Sequence, residues 1–514
     1  MTYPIDRRGL LGGAAAAASA PLAQAATVTG DAVGALALPL FTQLATYPVP
    51  SNVSVITTAG HGAAGRGPAR YVQDRTAVDA ASDARRFPLT RVITRDGRLF
   101  RLDPDATLSA LALGAVGNGV VDDAPALQQF LDSLGTVADG GTDKPVTIDF
   151  EDHRYRLGAP LRIVQNLVAL HARGATLDGG GTSPGLVRVD HDASVNSPSG
   201  VAITGRWFLR GSAGDAVVLT SAPLFVIGHL HATGIAGDVV RVAGSVGGTV
   251  AMIEAYDCKG IAYRETAMIK RYRGAGEGRR INCINNRVDA IRAFRCAGAW
   301  LASESWHASV GRIDVESSTG IGVEVESCLS PSFQSIYEED HKVAVLIHTA
   351  PRVFESDFPV GGALIDTLYT AGALLPGGVR PCSIDIRDGA AAAVRAGRIA
   401  GDVRIAAGAR DTRIGEDVDL LGRWEDASST TRIERRGRRV VTVRAGETGA
   451  DIGFARAELD DRYVAIARAI GWTGRPSPAA LVARGVQQTR GGFRMELLAP
   501  VDPGCTVTFL AEAV

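Results

Sequence analysis

The segments ITGRWFLRGSAGDAVVL (residues 203–219) and VIGHLHATGIAGDVVRV (residues 226–242) follow one pattern of apolar residues, glycines and an aspartate. Three glycines and the aspartate of the first segment recur in the second at a constant offset of 23 residues. Each segment has the pattern of a short strand, a tight glycine turn and a second short strand. A unit this small cannot bury its apolar side alone, so the pattern predicts that successive units stack on one another.

The same unit recurs further along the chain, beginning at four isoleucines. IEAYDCKGIAY starts at Ile253, IRAFRCAGAWL at Ile291, IDVESSTGIGV at Ile313 and IYEEDHKVAVL at Ile336. Counted from Ile227, the spacings are 26, 38, 22 and 23 residues, and the 38-residue spacing contains an insertion. Repeats of this length predict the coils, or rungs, of a parallel β-helix. An up-and-down barrel is disfavoured because Asn-Gly and Asp-Gly hairpin turns do not recur at matching intervals.

Composition narrows the class of protein. The chain has 514 residues, and its 61 glycines suit many turns between short strands. Its 54 Lys and Arg residues balance 55 Asp and Glu residues, so the charge gives no indication of nucleic acid as a partner. The six cysteines lack C-x-x-C and zinc-binding spacings, which predicts buried free thiols. Stacking places Cys258, Cys296 and Ser318 at one inward-facing position.

The N-terminus has the features of an export signal. MTYPIDRRGLLGGAAAAASAPLAQAATV carries Arg7-Arg8, then a stretch rich in Leu, Gly and Ala, then the small-x-small sequence Ala23-Gln24-Ala25. The paired arginines resemble those of a twin-arginine (Tat) signal. We therefore expect residues 1–25 to be removed and the mature protein to be periplasmic or secreted. No later run of about 20 apolar residues predicts a membrane span.

LGAVGNGVVDDAPALQQFLDSL (residues 113–134) combines a glycine-rich turn, two aspartates and an apolar helical stripe. Asp122 or Asp123 stands where a helix N-cap belongs, and Pro125 lies in the first turn. The segment resembles the pattern GA-x-G-D-G-x-x-D-D-T-x-A-x-Q-x-A, which opens many members of the pectate-lyase-like right-handed parallel β-helix superfamily. The matching residues are Gly114, Ala115, Gly117, Gly119, Asp122, Asp123, Ala126 and Gln128, whereas Asn118 and Pro125 depart from it.

This resemblance covers about residues 105–425 and implies an all-β protein built on a right-handed parallel β-helix. In that superfamily the helix after the two aspartates covers the open N-terminal end of the β-helix. Asp122 and Asp123 are then structural caps rather than catalytic carboxylates. The superfamily contains polysaccharide lyases, glycoside hydrolases, epimerases and phage tailspikes, so the fold alone does not decide the chemistry.

The sequence predicts four regions. Residues 49–74 and 95–102 look like the small head that precedes the cap in tailspike-like and exopolysaccharide-associated members. After the linker at 428–431 the chain alternates and breaks at Gly and Pro, as a small antiparallel β-domain does. The predicted boundaries are 1–25 for the signal peptide, 26–105 for the head, 106–425 for the β-helix and 432–514 for the C-terminal β-domain.

The catalytic signatures of known superfamily members are missing. Gly60-His61-Gly62 lies in the predicted head, Met268-Ile269-Lys270 lacks the Arg of an Arg-Ile-Lys block, and Trp-x-Asp-His does not occur. No catalytic residue can therefore be transferred by resemblance, and candidates must come from the predicted stacking.

Two outward-facing columns follow from that stacking, because residues one and three after each inward isoleucine point away from the core. The first column is Gly228, Glu254, Arg292, Asp314 and Tyr337, and the second is Leu230, Tyr256, Phe294, Glu316 and Glu339. Carboxylates about 5 Å apart suit a retaining glycosidase, and those about 6.5–9.5 Å apart an inverting one. The columns predict catalytic carboxylates at Asp314, Glu316 and Glu339, and sugar-binding side chains at Tyr256, Arg292 and Phe294. The alternative is a solvated face whose charges pair across rungs, for instance Arg292 with Glu254 or Asp314.

The insertion between Tyr263 and Arg287 is rich in basic residues and glycine. A basic loop hanging beside the carboxylates and rings would bind an anionic polymer. β-Elimination needs a cation on the sugar carboxylate and a base at the neighbouring C–H, and Lys270, Arg273 and Tyr337 are predicted for these roles, with Tyr272 and His307 as further candidates. The alternative is an exposed loop without a ligand.

Two further patterns concern sugar contacts and metal binding. WLASESWH (residues 300–307) predicts sugar contacts at Trp306 and His307, with a place in the solenoid core as the alternative. Asp257 and Asp340 occupy matching turn positions, but two rungs intervene, so a Ca²⁺ site is unsupported and no metal or cofactor is predicted.

The sequence therefore predicts an exported protein that acts on an acidic polysaccharide, by β-elimination or by hydrolysis. The basic insertion favours elimination. One alternative is a non-catalytic carbohydrate-binding or surface protein, which the missing signatures favour. Another is a tailspike-like homotrimer, which the predicted head favours.

Overall fold

The structure is a computed structural model of the chain. It describes residues 34–75, 79–103, 107–134, 145–190, 200–270, 279–349, 361–371, 374–375, 378–387, 392–428, 431–433, 437–453, 465–489 and 492–513. The predicted signal peptide lies outside these residues. The chain divides into two compact units, Met1–Asp103 and Pro104–Val514. The finer domain boundaries proposed from the sequence stay predictions.

The first unit holds a five-stranded sheet in the order β1-β2-β3-β5-β4. β1 and β2 pair in parallel and the other pairs are antiparallel. Helix α1 (Ala80–Arg86) begins where the Asp79 carboxylate accepts a hydrogen bond from the Ser82 N–H at 2.9 Å. The core between these elements contains the fully buried Ile56, Tyr71 and Phe100. The strands are β1 (Gly34–Leu38), β2 (Val53–Thr58), β3 (Ala69–Gln73), β4 (Arg91–Ile93) and β5 (Leu99–Leu102).

The second unit is dominated by two long parallel sheets, of 15 and 11 strands within the described residues. The 15-stranded sheet contains β6 (Leu108–Ser109), β7 (Asn118–Asp122), β8 (Val146–Asp149), β9 (Arg154–Arg156), β11 (Val168–Asp178), β13 (Ala202–Arg210), β15 (Val226–Thr233), β17 (Thr249–Tyr256), β21 (Arg287–Phe294), β23 (Ser309–Glu316), β25 (Ser332–Glu339), β27 (Ala363–Thr370), β29 (Ala392–Ile399), β31 (Arg413–Leu420) and β33 (Arg432–Ile433). The 11-stranded sheet contains β10 (Leu161–Ile163), β12 (Val187–Asp190), β14 (Val217–Thr220), β16 (Val240–Ala243), β18 (Ile261–Thr266), β22 (Gly298–Ser303), β24 (Ile321–Glu326), β26 (Val343–His348), β28 (Cys382–Ile386), β30 (Asp402–Ile405) and β32 (Trp424–Asp426).

The chain alternates between these two sheets, and each strand pairs with strands of the preceding and following rungs rather than with its sequence neighbour. Parallel pairing with such connections is the topology of a parallel β-helix, and connections of this kind are right-handed. The predicted parallel β-helix is confirmed.

The register of the rungs follows the isoleucines. Ile253, Ile291, Ile313 and Ile336 are successive Cα partners, and each is at most 1% exposed. The predicted stacking is wrong at one position, because Leu230 rather than Ile227 pairs with Ile253.

The physical reason for that error is that each of these strands buries two apolar residues three positions apart. In β15 both Ile227 and Leu230 point inward. Ile227 pairs with Val250, and Leu230 pairs with Ile253, three residues later on the neighbouring strand. The rung at β15 therefore presents different outward residues. His231 replaces Gly228 beside Glu254 in the first column, and Thr233 replaces Leu230 in the second.

Helix α2 (Ala124–Ser133) covers the free edge of the 11-stranded sheet, as predicted. Gln128 donates to the Arg162 carbonyl at 3.0 Å and accepts from the Arg162 N–H at 2.7 Å, so it satisfies the backbone of edge strand β10. On the inner side, Leu127 and Leu131 are fully buried. The helix thus closes the N-terminal end of the β-helix.

The two aspartates before α2 have structural roles. Asp123 is 1% exposed, and its carboxylate accepts hydrogen bonds from the N–H groups of Val116 (2.6 Å) and Gly117 (3.3 Å). The Asp122 carboxylate accepts from the N–H groups of Ala124 (3.1 Å) and Gly158 (2.8 Å). Asp123 ties the glycine turn down, and Asp122 joins the helix start to the next rung.

The interior of the β-helix contains the predicted thiols. All six cysteines are buried and free. Cys258, Cys296 and Ser318 follow directly after register-matched strands and are 2, 1 and 6% exposed, and His341, fully buried, continues their row. His341 is held by a 2.7 Å contact between its Nδ1 and the buried carboxylate of Glu338.

The insertion leaves the β-helix as an antiparallel hairpin of β19 (Met268–Lys270) and β20 (Arg279–Ile281). Two antiparallel three-stranded sheets follow the β-helix, in agreement with the expected C-terminal β-domain. Phe509, Met495 and Val507 are buried in its core. The strands are β34 (Gly437–Arg444), β39 (Thr506–Ala513) and β36 (Ala465–Thr473) in one sheet, and β35 (Gly449–Gly453), β38 (Gly492–Leu497) and β37 (Ala483–Thr489) in the other.

Candidate functional site

A cleft of about 430 Å³ opens on the outer face of the 15-stranded sheet. Outward side chains of four consecutive strands, β17 to β25, form it because the register aligns them in columns. Its lining residues are Tyr256, Arg292, Ala293, Phe294, Arg312, Asp314, Glu316 and Tyr337. The structure brings six of the predicted site residues into this cleft, namely Tyr256, Arg292, Phe294, Asp314, Glu316 and Tyr337, and their roles stay predictions.

The first column of the cleft is a chain of ion pairs. Arg292 lies 3.6 Å from Glu254 on one side and 3.8 Å from Asp314 on the other. Asp314 also accepts a 2.8 Å hydrogen bond from Arg312 and is only 7% exposed. The alternative of charges paired across rungs is thus observed in this column. The carboxylate of Asp314 is thus occupied by two arginines of the protein.

The second column holds an acidic pair, of which Glu316 lines the cleft and Glu339 is its partner on β25. Glu316 and Glu339 are direct register partners on β23 and β25, so their Cα atoms are about 4.8 Å apart. The Tyr337 hydroxyl donates a hydrogen bond to Glu339. That hydrogen bond is the main reason why the pKa of Tyr337 is raised to about 12, and burial and the nearby carboxylates add to it. Tyr337 therefore acts as a proton-bearing donor at neutral pH. No side chain in the described residues forms an ion pair with Glu316.

Aromatic rings continue from the cleft toward the N-terminal rungs. Successive ring centroids are 5.4 Å apart for Phe208 and His231, 5.1 Å for His231 and Tyr256, and 6.4 Å for Tyr256 and Phe294. We call these four residues the ring strip. The guanidinium of Arg295 covers Phe294 at 4.3 Å. A strip of half-buried rings beside carboxylates is a surface on which sugar rings can stack.

Two histidines next to the cleft were missed in the sequence. His229 Nε2 lies 2.8 Å and His231 Nδ1 3.6 Å from the same oxygen of Glu254. Burial alone would raise the pKa of Glu254, but hydrogen bonds from the two histidines lower it below its ordinary value. The signal was present as His-Leu-His within the second repeat, but the incorrect alignment of β15 placed glycine and leucine in the columns instead.

Trp306 and His307 do not join the cleft. Trp306 forms bridges to Ile284 and Leu329 in the turn before β23, and His307 follows it in the left-handed region with a φ of 55°. The acidic pair lies at the other end of that strand, about 20 Å away along the chain direction. The predicted sugar contacts are therefore wrong for this cleft, because the two residues precede the strand whose far end carries Glu316.

The base of the basic hairpin is also removed from the cleft. The chain leaves the ring strip at Tyr256, turns, and runs the whole of β18, about 17 Å, before β19 begins. Ala267 there donates to the Ser303 carbonyl at the end of β22. The insertion was expected to lie beside the ring strip, but the strands from which it emerges do not lie there. The Lys270 backbone pairs with that of Arg279, and Tyr272 and Arg273 lie outside the described residues.

The turn aspartates have protein partners. Asp257 forms two hydrogen bonds with Arg295, at 2.5 and 2.7 Å, and the Ser317 hydroxyl lies 3.4 Å from Asp340. Across the described part of the chain, no group of three His, Cys, Asp or Glu side chains is arranged to hold a metal ion. No helix among the same residues is long and apolar enough to cross a membrane.

No protein-family model and no curated protein matches the sequence. Among solved structures, the chain is similar to the gp42 tailspike of Acinetobacter phage vb_AbaP_AS12, with a TM-score of 0.48, 9% identity, and 78% of this chain and 74% of that chain covered. It is also similar to WceF of Pantoea stewartii, a glycan biofilm modifying enzyme with a tailspike-like parallel β-helix (TM-score 0.44, 10% identity, 93% and 71% covered). A third similar structure is PfbA, a surface adhesin of Streptococcus pneumoniae (TM-score 0.40, 12% identity, 63% and 91% covered).

Proposed function

We propose that this chain hydrolyses glycosidic bonds of an acidic polysaccharide bound in the cleft. The observation that carries the proposal is the in-register pair Glu316 and Glu339 beside the ring strip, with the Tyr337 hydroxyl on Glu339. Glycosidases need two carboxyl groups that flank the scissile bond, and a surface that positions the sugar.

The two carboxyl groups have different surroundings, which suggests their roles. The Tyr337 hydroxyl fixes one oxygen of Glu339, which orients this carboxylate as the nucleophile or base at the anomeric carbon. Glu316 forms no ion pair among the described residues, and we assign it the role of protonating the leaving oxygen. The backbone spacing of about 4.8 Å is close to the carboxyl separation of retaining enzymes, so we propose net retention.

Hydrolysis is supported better than the elimination that the sequence favoured. An elimination through Tyr337 needs a phenolate base, whereas its hydrogen bond to Glu339 raises the pKa of Tyr337 to about 12. Arg292 and Arg312, the cations of the cleft, already contact Asp314. The base of the hairpin with Lys270 begins a full strand length away. Elimination stays the alternative chemistry.

A non-catalytic carbohydrate-binding protein is the second candidate function. The ion pairs that link Glu254, Arg292, Asp314 and Arg312 support it, because they neutralise most charges of the first column. In this case the ring strip and the paired charges would hold a polymer without cutting it.

The test follows two products from a panel of acidic polysaccharides. Reducing ends without ultraviolet absorbance support hydrolysis, absorbance from unsaturated uronyl ends indicates elimination, and binding without either product indicates the second candidate. We expect Glu316→Gln and Glu339→Gln each to lower the rate by about 100-fold or more. Glu326→Gln, on the 11-stranded sheet, is the matched control and should keep full activity. Full activity in a folded Glu316→Gln variant would remove the carboxylate mechanism.

We also propose that the protein is exported through the Tat pathway. Its oligomeric state in solution, monomer or homotrimer, is tested separately. Replacing Arg7-Arg8 with lysines should retain the protein in the cytoplasm, and fractionation measures this. Light scattering on the mature protein gives the mass directly, and three times the monomer mass would support the tailspike-like assembly.

A further inference from the structure

We propose that His229, His231 and Glu254 form a proton-dependent subsite, next to the cleft, for the carboxylate of an acidic sugar. The inference rests on the proposed function and deepens it, since it specifies how one part of the surface recognises a charged polymer.

The geometry brings three ionisable groups to one point on the outer face. His229 and His231 point the same way because they are two residues apart on β15, and Glu254 lies in the adjacent strand. Both imidazoles reach the same carboxylate oxygen, at 2.8 and 3.6 Å. Their side chains are 33 and 27% exposed, so a ligand can reach them. Arg292, 3.6 Å from the other oxygen of Glu254, joins the group to the cleft.

The rings give the subsite a floor that is continuous with the cleft. His231 lies between Phe208 and Tyr256 in the ring strip, with centroid distances of 5.4 and 5.1 Å. A sugar stacked on this part of the strip places its substituents beside the two imidazoles. A polymer that occupies the cleft therefore passes over the histidines when it extends by one or two sugar units.

The charge of the subsite depends on the imidazoles. On the strands packed against β15, the outward ionisable groups are Arg206 and Arg210 on β13, and Glu254 and Tyr256 on β17, with Arg292 beyond. When both imidazoles are neutral, Glu254 is balanced by Arg292. An imidazole in water gains a proton near pH 6.5. Protonation of both imidazoles adds two positive charges beside the single carboxylate of Glu254, which Arg292 also contacts, and the carboxylate of a uronate can balance this excess.

The experiment measures the affinity of the full mature protein for a galacturonate hexasaccharide by calorimetry, at about pH 8 and about pH 5. A neutral cellohexaose is the control probe. We expect binding of the acidic probe to strengthen on the order of 10-fold at the lower pH, because each new exposed ion pair contributes a few tenths to about 1 kcal/mol. The neutral probe should show no such change.

Variants separate recognition from a structural role. His229→Gln and His231→Gln should each remove about half of the pH effect on a logarithmic scale. Glu254→Gln removes the competing carboxylate, so it should tighten binding at pH 8. His153→Gln, which affects another half-exposed histidine beside a glutamate in an early rung, should behave as wild type.

The outcomes are distinguishable. Acidic-probe affinity that is the same at both pH values, or a pH effect that survives the double histidine variant, overturns the subsite while leaving the proposed function intact. No binding of acidic probes at either pH, together with no product from the polysaccharide panel, overturns both.

Discussion

The glycine turn before helix α2 offers a sharp test of how this β-helix is closed. Asp123 is 1% exposed, and its carboxylate is the acceptor for the N–H groups of Val116 at 2.6 Å and Gly117 at 3.3 Å. Asp123→Ala removes this acceptor from a site that water cannot readily enter. Loss of an acceptor for a buried N–H costs about 1–3 kcal/mol. Because the Gly117 hydrogen bond is long, we expect a total loss of about 2–4 kcal/mol.

Asp122→Ala is the matched control, since it removes a neighbouring carboxylate that also accepts two backbone hydrogen bonds. Asp122 and its partner Gly158 are both exposed, so water can replace the Asp122 carboxylate as the acceptor for the Gly158 N–H group. A lost helix-start residue of this kind costs about 1 kcal/mol. We therefore expect Asp123→Ala to be the more destabilising variant by at least about 1 kcal/mol.

The assay is urea unfolding followed by far-ultraviolet circular dichroism, with both variants and the wild type in one buffer. The midpoint should fall more for Asp123→Ala than for Asp122→Ala at an unchanged slope. Equal midpoints, or the reverse order, would refute the argument that burial decides the cost. A hydrolytic activity lost in Asp123→Ala while its midpoint is unchanged would instead assign this aspartate to catalysis.

Three further outcomes follow from buried groups of the β-helix. Burial raises the pKa of Glu265, so its contribution to stability falls as the pH rises from about 4.3 through the raised value; Glu265→Gln should flatten this part of a plot of Tm against pH. The hydrogen bond to Glu324, 2.9 Å away, raises the pKa of His348, so this pair stabilises fully below about pH 6.5 and less as the pH rises through the raised value; an NMR titration should show a lower His348 pKa in Glu324→Gln. Ile313, fully buried, stacks on isoleucines of both neighbouring rungs, so Ile313→Ala should cost about 2–5 kcal/mol in denaturant unfolding, and a cost below about 1 kcal/mol would contradict the proposed stacking.

The fold could be predicted because each rung of a solenoid repeats the same sequence pattern. Isoleucines at matching positions and small residues at the turns recur on each rung, so one correct spacing fixes several strands at once. The error at β15 arose where a strand buries two apolar residues, Ile227 and Leu230. A pattern of inward residues three apart fits either alignment, and only the backbone pairing decides between them.

The cleft was predicted in part for the same reason. Columns follow from period-two alternation, so Tyr256, Phe294 and Glu316 could be brought together from sequence. Sequence could not decide whether Asp314 is ion-paired or free, because the reach of Arg292 and Arg312 depends on their rotamers. Trp306 was wrongly expected at the site because it is near in sequence. It lies only ten residues before Glu316, but at the far end of β23.

The insertion between β18 and β21 has a consequence for how such a surface can change over time. Rungs separated by 38 residues at this point pair in the same register as rungs separated by 22 or 23, with Tyr256 opposite Phe294 and Glu254 opposite Arg292. Extra chain leaves through a turn and returns to the same place in the ladder. The length of the insertion therefore does not affect which residues line the cleft. A foreign segment grafted between Lys270 and Arg279 should leave the cleft unchanged, which makes this insertion a suitable point for exchanging segments between solenoids.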